Sequence, residues 1–210
     1  MTGIAGPKKS IQTKRIFMDA FIALNHDKMI DKMSIKELCN RVGLNRGTFY
    51  LHFQDIYDLR EQIENELLNG MKEIFLEFSK DIIIIKDPHI ARNAFSSILA
   101  YIQKHHLYFE ALLGPTGDIS FINKIKNYVK LLLVDNLLLR DKENNINKDY
   151  YELILEYGLS ANVGIIMYWM KNGMKIPIDE LVTLYNELMF NGLAQGILTP
   201  NTSSRIPKEV

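Results

Sequence analysis

Residues 34–53 read SIKELCNRVGLNRGTFYLHF, and two helix starts and one helix stop are written into them. Ser34 and Glu37 have capping-box spacing, in which hydroxyl and carboxylate each take an orphan amide of the first turn. Met33 and Leu38 stand at the spacing of a hydrophobic staple. Gly43 follows Val42, and a residue without Cβ enters the left-handed conformation that ends a helix sharply. Asn45 then serves as N-cap of a second short helix. Two short helices joined by a glycine turn make a helix-turn-helix, whose second helix can enter a DNA major groove roughly 12 Å wide. Asn45, Arg46, Gly47 and Thr48 are small or polar enough for close approach. Tyr50 and His52 add donors suited to phosphate oxygens, which position a helix without reading sequence. Phe49 and Phe53 are expected to face inward, against the first and fourth helices.

The rest of the chain reads as all-α. Apolar residues recur at three- and four-residue steps, and no alternating strand pattern of useful length appears. A first helix is expected from about Ser10 to Leu24, with Ile16, Phe17, Ala20, Phe21 and Leu24 inward. A long fourth helix starts near Asp55, with Ile56, Leu59, Ile63, Leu67, Met71, Ile74 and Phe78 on one side. Asp87-Pro88 reads as N-cap and first turn of a fifth helix with the stripe Ala91, Ala94, Phe95, Ile98 and Ile102. Leu113-Gly114-Pro115-Thr116-Gly117 breaks the pattern. Further helices are expected at Asp118–Leu139, Asp149–Lys171 and Ile178–Ile197, with a polar loop at Arg140–Lys148. The expected architecture is an N-terminal three-helix helix-turn-helix domain plus a C-terminal helical bundle, about eight or nine helices in all. The corresponding division is a DNA-binding domain at residues 1–58, an effector-binding and dimerisation domain at 59–198, and a disordered tail at 199–210.

Charge is distributed to match. The chain has 25 basic and 25 acidic side chains, a net charge of zero. Through Arg60 there are ten basic residues and six acidic ones, so this segment carries +4 and the remainder −4. A basic head on an acidic body suits a polyanion-binding domain attached to something else. Cys39 is the single cysteine, which allows no intramolecular disulfide and fits a reducing, cytoplasmic setting. No uninterrupted run of roughly 18 apolar residues marks a membrane span, and no apolar region follows Lys8-Lys9 as in a signal peptide. Asn201-Thr202-Ser203 matches a glycosylation sequon as a chance triplet.

The run Asn45-Arg46-Gly47-Thr48-Phe49-Tyr50-Leu51-His52-Phe53 resembles the signature of the TetR family of transcriptional regulators, where a small-polar stretch precedes Phe/Leu-Tyr-x-His-Phe. The resemblance covers about Thr13 to Leu68. It implies a DNA-binding regulator, a ligand-responsive homodimeric repressor on a palindromic operator, with DNA contacts at Ser34, Lys36, Asn45, Arg46, Gly47, Thr48, Tyr50 and His52. Base reading would fall mainly to Asn45, Arg46 and Thr48. Two positions depart from the pattern. Met29 and Ile30 stand where many members have Gly and an aromatic, and Ile56 replaces a lysine that touches phosphate. In the C-terminal part, Tyr157-Gly158, Trp169 to Gly173 and Pro177 to Leu181 resemble a subgroup that includes a co-activator of dihydroxyacetone use. This keeps a second reading open, a protein-binding co-regulator with a degenerate DNA-binding head.

Other readings are narrower. Phe95, Tyr101, Phe109, Tyr157, Tyr168 and Trp169 are candidate contacts for an unknown small-molecule effector, against the alternative of ordinary core. Gly158, Ser160, Ala161 and Gly164 allow close helix approach, either across a dimer or within the chain. His105-His106 diverge on a helix and fit a helix end or surface better than a metal site. Cys39 is expected as a small core residue with no basic neighbour facing it. No phosphate loop, metal-ligand cluster or nucleophile motif appears, so no catalysis, metal or cofactor is expected.

Overall fold

The computed structural model describes residues 7–82, 88–114, 119–140 and 148–198. The expected cap at Asp87, the break at 115–117, the body of the 140–148 loop, the tail and its sequon lie outside them. Among the described residues there are nine α-helices and no strand. They are α1 (Pro7–Asn25), α2 (Ile35–Val42), α3 (Arg46–Tyr50), α4 (Ile56–Ile82), α5 (Pro88–Lys104), α6 (His106–Leu113), α7 (Ile119–Arg140), α8 (Lys148–Lys171) and α9 (Ile178–Leu198). The helices form two compact units. The first comprises Met1–Asn69 with His105–Asn123, the second Gly70–Lys104 with Lys124–Val210.

The first unit is built on aromatic packing. Phe17 of α1 meets Phe49 of α3 edge-on at 5.3 Å and Phe53 at 6.2 Å, and Phe49 and Phe53 lie 5.3 Å apart. Edge-to-face pairs of this kind add about 0.5–1.5 kcal/mol each beyond the area they bury. Leu38, Leu59 and Ile63 are buried in the same unit. The buried stripe of α1 is Phe17, Met18, Ala20, Phe21, Ile22 and Asn25, while Ile16 is exposed. Ile16 therefore departs from its expected inward place. The stripe turns toward Met18 and Ile22 because successive side chains rotate by about 100°.

The sequence reading gives the fifth helix a stripe as far as Ile102 and puts His105-His106 at a helix end or on the surface, without a separate helix before the break at Leu113. The structure ends α5 at Lys104 and starts α6 at His106. His105 sits between them at φ −109° and ψ 24°, its carbonyl accepting from the amides of Tyr108 and Phe109. Two bonds then join α6 to α1 within the first unit. The buried Asn25 side chain donates to the Ala111 carbonyl at 2.6 Å, and the Tyr108 hydroxyl donates to Asp19. The Arg15 guanidinium lies 4.7 Å from the centre of the Tyr108 ring. Burial and the adjacent Asp19 carboxylate push the Tyr108 hydroxyl well above the usual phenol range, so it stays a donor.

In the second unit α5 packs against α9, with Phe95 stacked on Tyr185 at 3.9 Å. A Cβ on Gly70 would collide with the Tyr101 hydroxyl, so that glycine is where α4 lets Tyr101 lie against its backbone. The Trp169-to-Gly173 motif is a helix stop. Gly173 and Met174 adopt positive φ, the Met174 amide donates to the Trp169 carbonyl, and the buried indole N–H reaches the Ile176 carbonyl at 2.8 Å. Antiparallel ion pairs tie α7 to α8, Lys126 to Glu156 and Lys130 to Glu152.

Asn25→Ala removes a buried donor and strands the Ala111 carbonyl. It is expected to cost about 1–3 kcal/mol. A urea denaturation curve with an unmoved midpoint would contradict this account of α6 on α1.

Candidate nucleic-acid interface

Each expected start and stop of the helix-turn-helix can be followed to an atom. The Ser34 hydroxyl accepts from the Glu37 amide at 3.2 Å. The reciprocal arm of the expected capping box is diverted, because the Glu37 carboxylate pairs with Lys28 at 2.8 Å. That ammonium holds the Glu37 carboxyl below its ordinary range and ties the segment before α2 to its first turn. Met33 and Leu38, the staple pair, are both buried. Gly43 ends α2 at φ 68°, donating to the Cys39 carbonyl. Met29 and Ile30 belong to the approach to a single 3-10 turn, Ile30–Lys32.

The Asn45 side-chain oxygen accepts from the Thr48 amide at 2.8 Å and the Thr48 hydroxyl at 3.1 Å. The cap uses only the amide oxygen, so the Asn45 NH2 group is left as a donor. Gly47 has a local reason beyond close approach to a duplex. A Cβ there would stand 3.2 Å from the capping oxygen and press on it. Arg46 and Gly47 are exposed, Thr48 and His52 half-buried, and Tyr50 is 56% exposed, while Phe49 is fully buried. Ser34 and Lys36 are exposed at the start of α2, which packs against α3. Cys39 is buried as expected, but it does have a basic neighbour. Burial raises its thiol above the ordinary range and Arg46 opposes this without prevailing.

The corner between α3 and α4 contains two residues that sequence reading missed. Gln62 donates to the His52 carbonyl at 3.2 Å and to Asp58 at 3.0 Å. Asp58 also accepts from the Gln54 amide at 2.7 Å, and Asp55 caps α4 by accepting from the Asp58 amide at 2.8 Å. The spacing 55, 58, 62 on one helix face was the available signal. Ile56, at the position of the expected lysine, is buried.

The candidate effector aromatics fall in both units. Phe109 belongs to the first unit, where it is buried and stacks near Phe121. Phe95 and Trp169 are buried in the second unit, Tyr101 is half-buried, and Tyr157 and Tyr168 are 73% and 60% exposed. Two further polar atoms of the second unit, the Tyr128 hydroxyl and the Asn186 side-chain oxygen, are buried and find no protein hydrogen-bond partner among the described residues.

Comparison with known proteins places this geometry in a class. Residues 91–191 match the family model TetR_C_8, the transcriptional regulator C-terminal region. An HTH-type transcriptional regulator of Bacillus subtilis, YxbF, is 23% identical over 154 residues, which is 72% of this chain but 38% of that protein's length. The chain thus spans well under half of this curated relative. A transcriptional regulator of Aquifex aeolicus superposes with a TM-score of 0.61 at 18% identity, covering 84% of this chain and 97% of that one. The fatty acid degradation regulator FadR of Bacillus halodurans gives 0.63 at 14% identity, covering 90% and 97%. The fold is shared with these transcriptional regulators. Residues 91–191 are similar to the C-terminal region of TetR-type regulators; the finer resemblance to the co-activator subgroup is not supported by these matches.

Tyr128→Phe deletes a buried hydroxyl without a protein partner. The unfolding free energy should stay level or rise by up to about 1 kcal/mol. A loss larger than that in chemical denaturation would mean that bound water satisfies the hydroxyl.

Proposed function

We propose that this protein is a cytoplasmic, dimeric repressor that binds a near-palindromic operator through paired helix-turn-helix units and is controlled by a small molecule held in its second unit. One observation carries the DNA-binding part. A five-residue α3, capped by Asn45 and anchored by Phe49, leaves Arg46, Gly47 and Tyr50 exposed, with Lys36 exposed on the adjoining α2. In this reading Asn45, Arg46 and Thr48 read base edges. Ser34, Lys36, Tyr50 and His52 hold phosphates, and Gly47 permits close approach.

The dimer rests on α8. Leu153, Tyr157, Ala161, Gly164 and Tyr168 recur at three- and four-residue steps and are all exposed in the single chain. A Cβ added at Gly158 or Gly164 would meet nothing within 4 Å, so internal packing does not use the space those glycines leave. The expectation of no apolar membrane-length run meets a qualification here, since Asp149–Lys171 is long and apolar enough to cross a membrane by length and composition. The ion pairs of Glu152 and Glu156 with α7 favour a second protein chain over lipid, because charged flanks are costly in hydrocarbon. Tyr157 and Tyr168 are thereby assigned to this face. The same surface on each chain would form a self-complementary interface, with the two DNA-binding heads about one turn of the duplex apart.

The effector is assigned to the second unit, near Phe95, Tyr101 and Trp169. The unpartnered Tyr128 hydroxyl and Asn186 oxygen suit a largely apolar molecule carrying a hydrogen-bonding group. Such a molecule changes DNA affinity only by its differential affinity for two conformations, typically about 1–3 kcal/mol of coupling. The co-regulator reading is favoured by the acidic α3–α4 corner.

Binding to duplex DNA from the chain's own upstream region should weaken steeply with salt as phosphate contacts release counterions. Tyr50→Ala should abolish the mobility shift while leaving circular dichroism and dimer mass intact; retained affinity would remove Tyr50 from the interface. A salt-insensitive complex, or a shift that appears only with a partner regulator, would favour the co-regulator. Tyr157→Asp should yield a folded monomer by light scattering, and an undiminished dimer would place the interface elsewhere.

A further inference from the structure

We infer that Asp55 and Asp58 make the α3–α4 corner an acidic brake on duplex binding, one that weakens the grip on phosphate at the far end of the recognition helix. The inference rests on the DNA-binding reading above and deepens it. Both acids are held there by their work in the fold. Asp55 caps α4 through the Asp58 amide, and Asp58 accepts from the Gln54 amide and from Gln62, whose side-chain nitrogen also holds the His52 carbonyl. Through Gln62 these bonds link the Asp58 carboxylate to the backbone of His52, one of the residues assigned to phosphate, and Asp55 lies three residues further along the chain from it. Asp55 is exposed and Asp58 half-buried.

No base stands beside them in the sequence. From Gly47 to Leu59 the sequence has these two acids and no lysine or arginine, a net charge of −2. Ile56 is turned into the core. The next base, Arg60, spends its Nε on the buried Glu64 at 2.7 Å. The two bonded amides, of Gln54 and Asp58, are also lost to an incoming anion. The exposed bases Lys36, Arg41 and Arg46 lie instead on α2 and the start of α3. The interface is therefore polarised along its length, attractive at one end and repulsive at the other.

A helix in the major groove lies between two phosphate backbones, so a carboxylate at its exit faces a like charge. The repulsion acts on every duplex alike. It lowers affinity for bulk DNA and for an operator by the same factor without touching base contacts, so it sets the overall strength of binding and leaves the ratio between the two unchanged.

The test is fluorescence anisotropy with a labelled duplex of arbitrary sequence, about 25 base pairs long, at about 50 and 200 mM salt. It compares the full-length chain with Asp55→Asn and with Glu73→Gln. Asparagine caps a helix as well as aspartate does, so Asp55→Asn keeps the bond and removes only the charge. Glu73 is exposed on α4 in the second unit, and its replacement makes the same change in net charge. Asp55→Asn should bind roughly two- to fivefold tighter at the lower salt, with a smaller gain at the higher, while Glu73→Gln matches the unaltered chain. Equal affinity of Asp55→Asn and the unaltered chain overturns the brake and leaves the DNA-binding reading standing. An equal gain in Glu73→Gln also overturns it, because net charge then suffices. Binding by Asp55→Asn alone supports it, whereas binding by none at the lower salt removes the DNA-binding reading and the brake with it. Melting midpoints accompany each titration. If Asp55→Asn melts early, Asp55→Ser, another good cap, takes its place in the comparison.

Discussion

Seating a five-residue helix is the constraint on which the rest of this protein depends. α3 is far too short to hold itself together, since helix nucleation is unfavourable and isolated helices below about 12 residues are marginal. It persists because Phe49 is fully buried in a cluster with Phe17 and Phe53, and because Asn45 closes its first turn. Every side chain of α3 offered to a ligand is exposed by default once Phe49 has been buried. The exposed face is thus the complement of the packing face, and neither can move without the other.

The ends of α3 are held by different chemistry. At its start, one neutral amide does the work and leaves donors outward. At its exit, the Asp55 carboxylate caps the next helix, and Gln62 ties the Asp58 carboxylate to the turn through the His52 carbonyl. Capping by aspartate is favourable to the α4 dipole and unfavourable to a nearby phosphate. Where a cationic residue follows the cap, the two effects offset each other. Here Ile56 occupies that position and is drawn into the core, so no cation at residues 56–59 offsets the Asp55 carboxylate.

α8 shows the same division of a helix into committed and uncommitted faces on a larger scale. Glu152 and Glu156 are engaged by lysines of α7 at four-residue spacing on both helices. This fixes the rotation of α8 within its unit and leaves the stripe from Leu153 to Tyr168 uncovered by the chain. Trp169, one residue beyond that stripe, points the other way and locks the turn into α9 through its indole N–H. Adjacent residues Tyr168 and Trp169 therefore have opposite environments, as roughly 100° of helical rotation requires.

Much of this was legible in the linear sequence. Helix starts and stops are local events, decided by a cap or a glycine within three or four residues, so Ser34, Gly43 and Asn45 could be read directly. So could the all-α class, because a period of 3.6 is visible in any window. Tertiary structure decided whatever depends on competition between distant partners. Glu37 turned from the capping box to Lys28, since a charged partner offered more than a second amide. Ile16 lost its expected burial to its neighbours on α1. A helix end at His105-His106 was among the sequence readings, but α6 as a separate helix was not, because what holds it is Asn25 and Tyr108 joining it to α1. The six aromatics grouped by residue type alone were separated by burial into core and surface. A periodic pattern shows that a residue lies on an apolar stripe, but only the packed structure shows what that stripe touches.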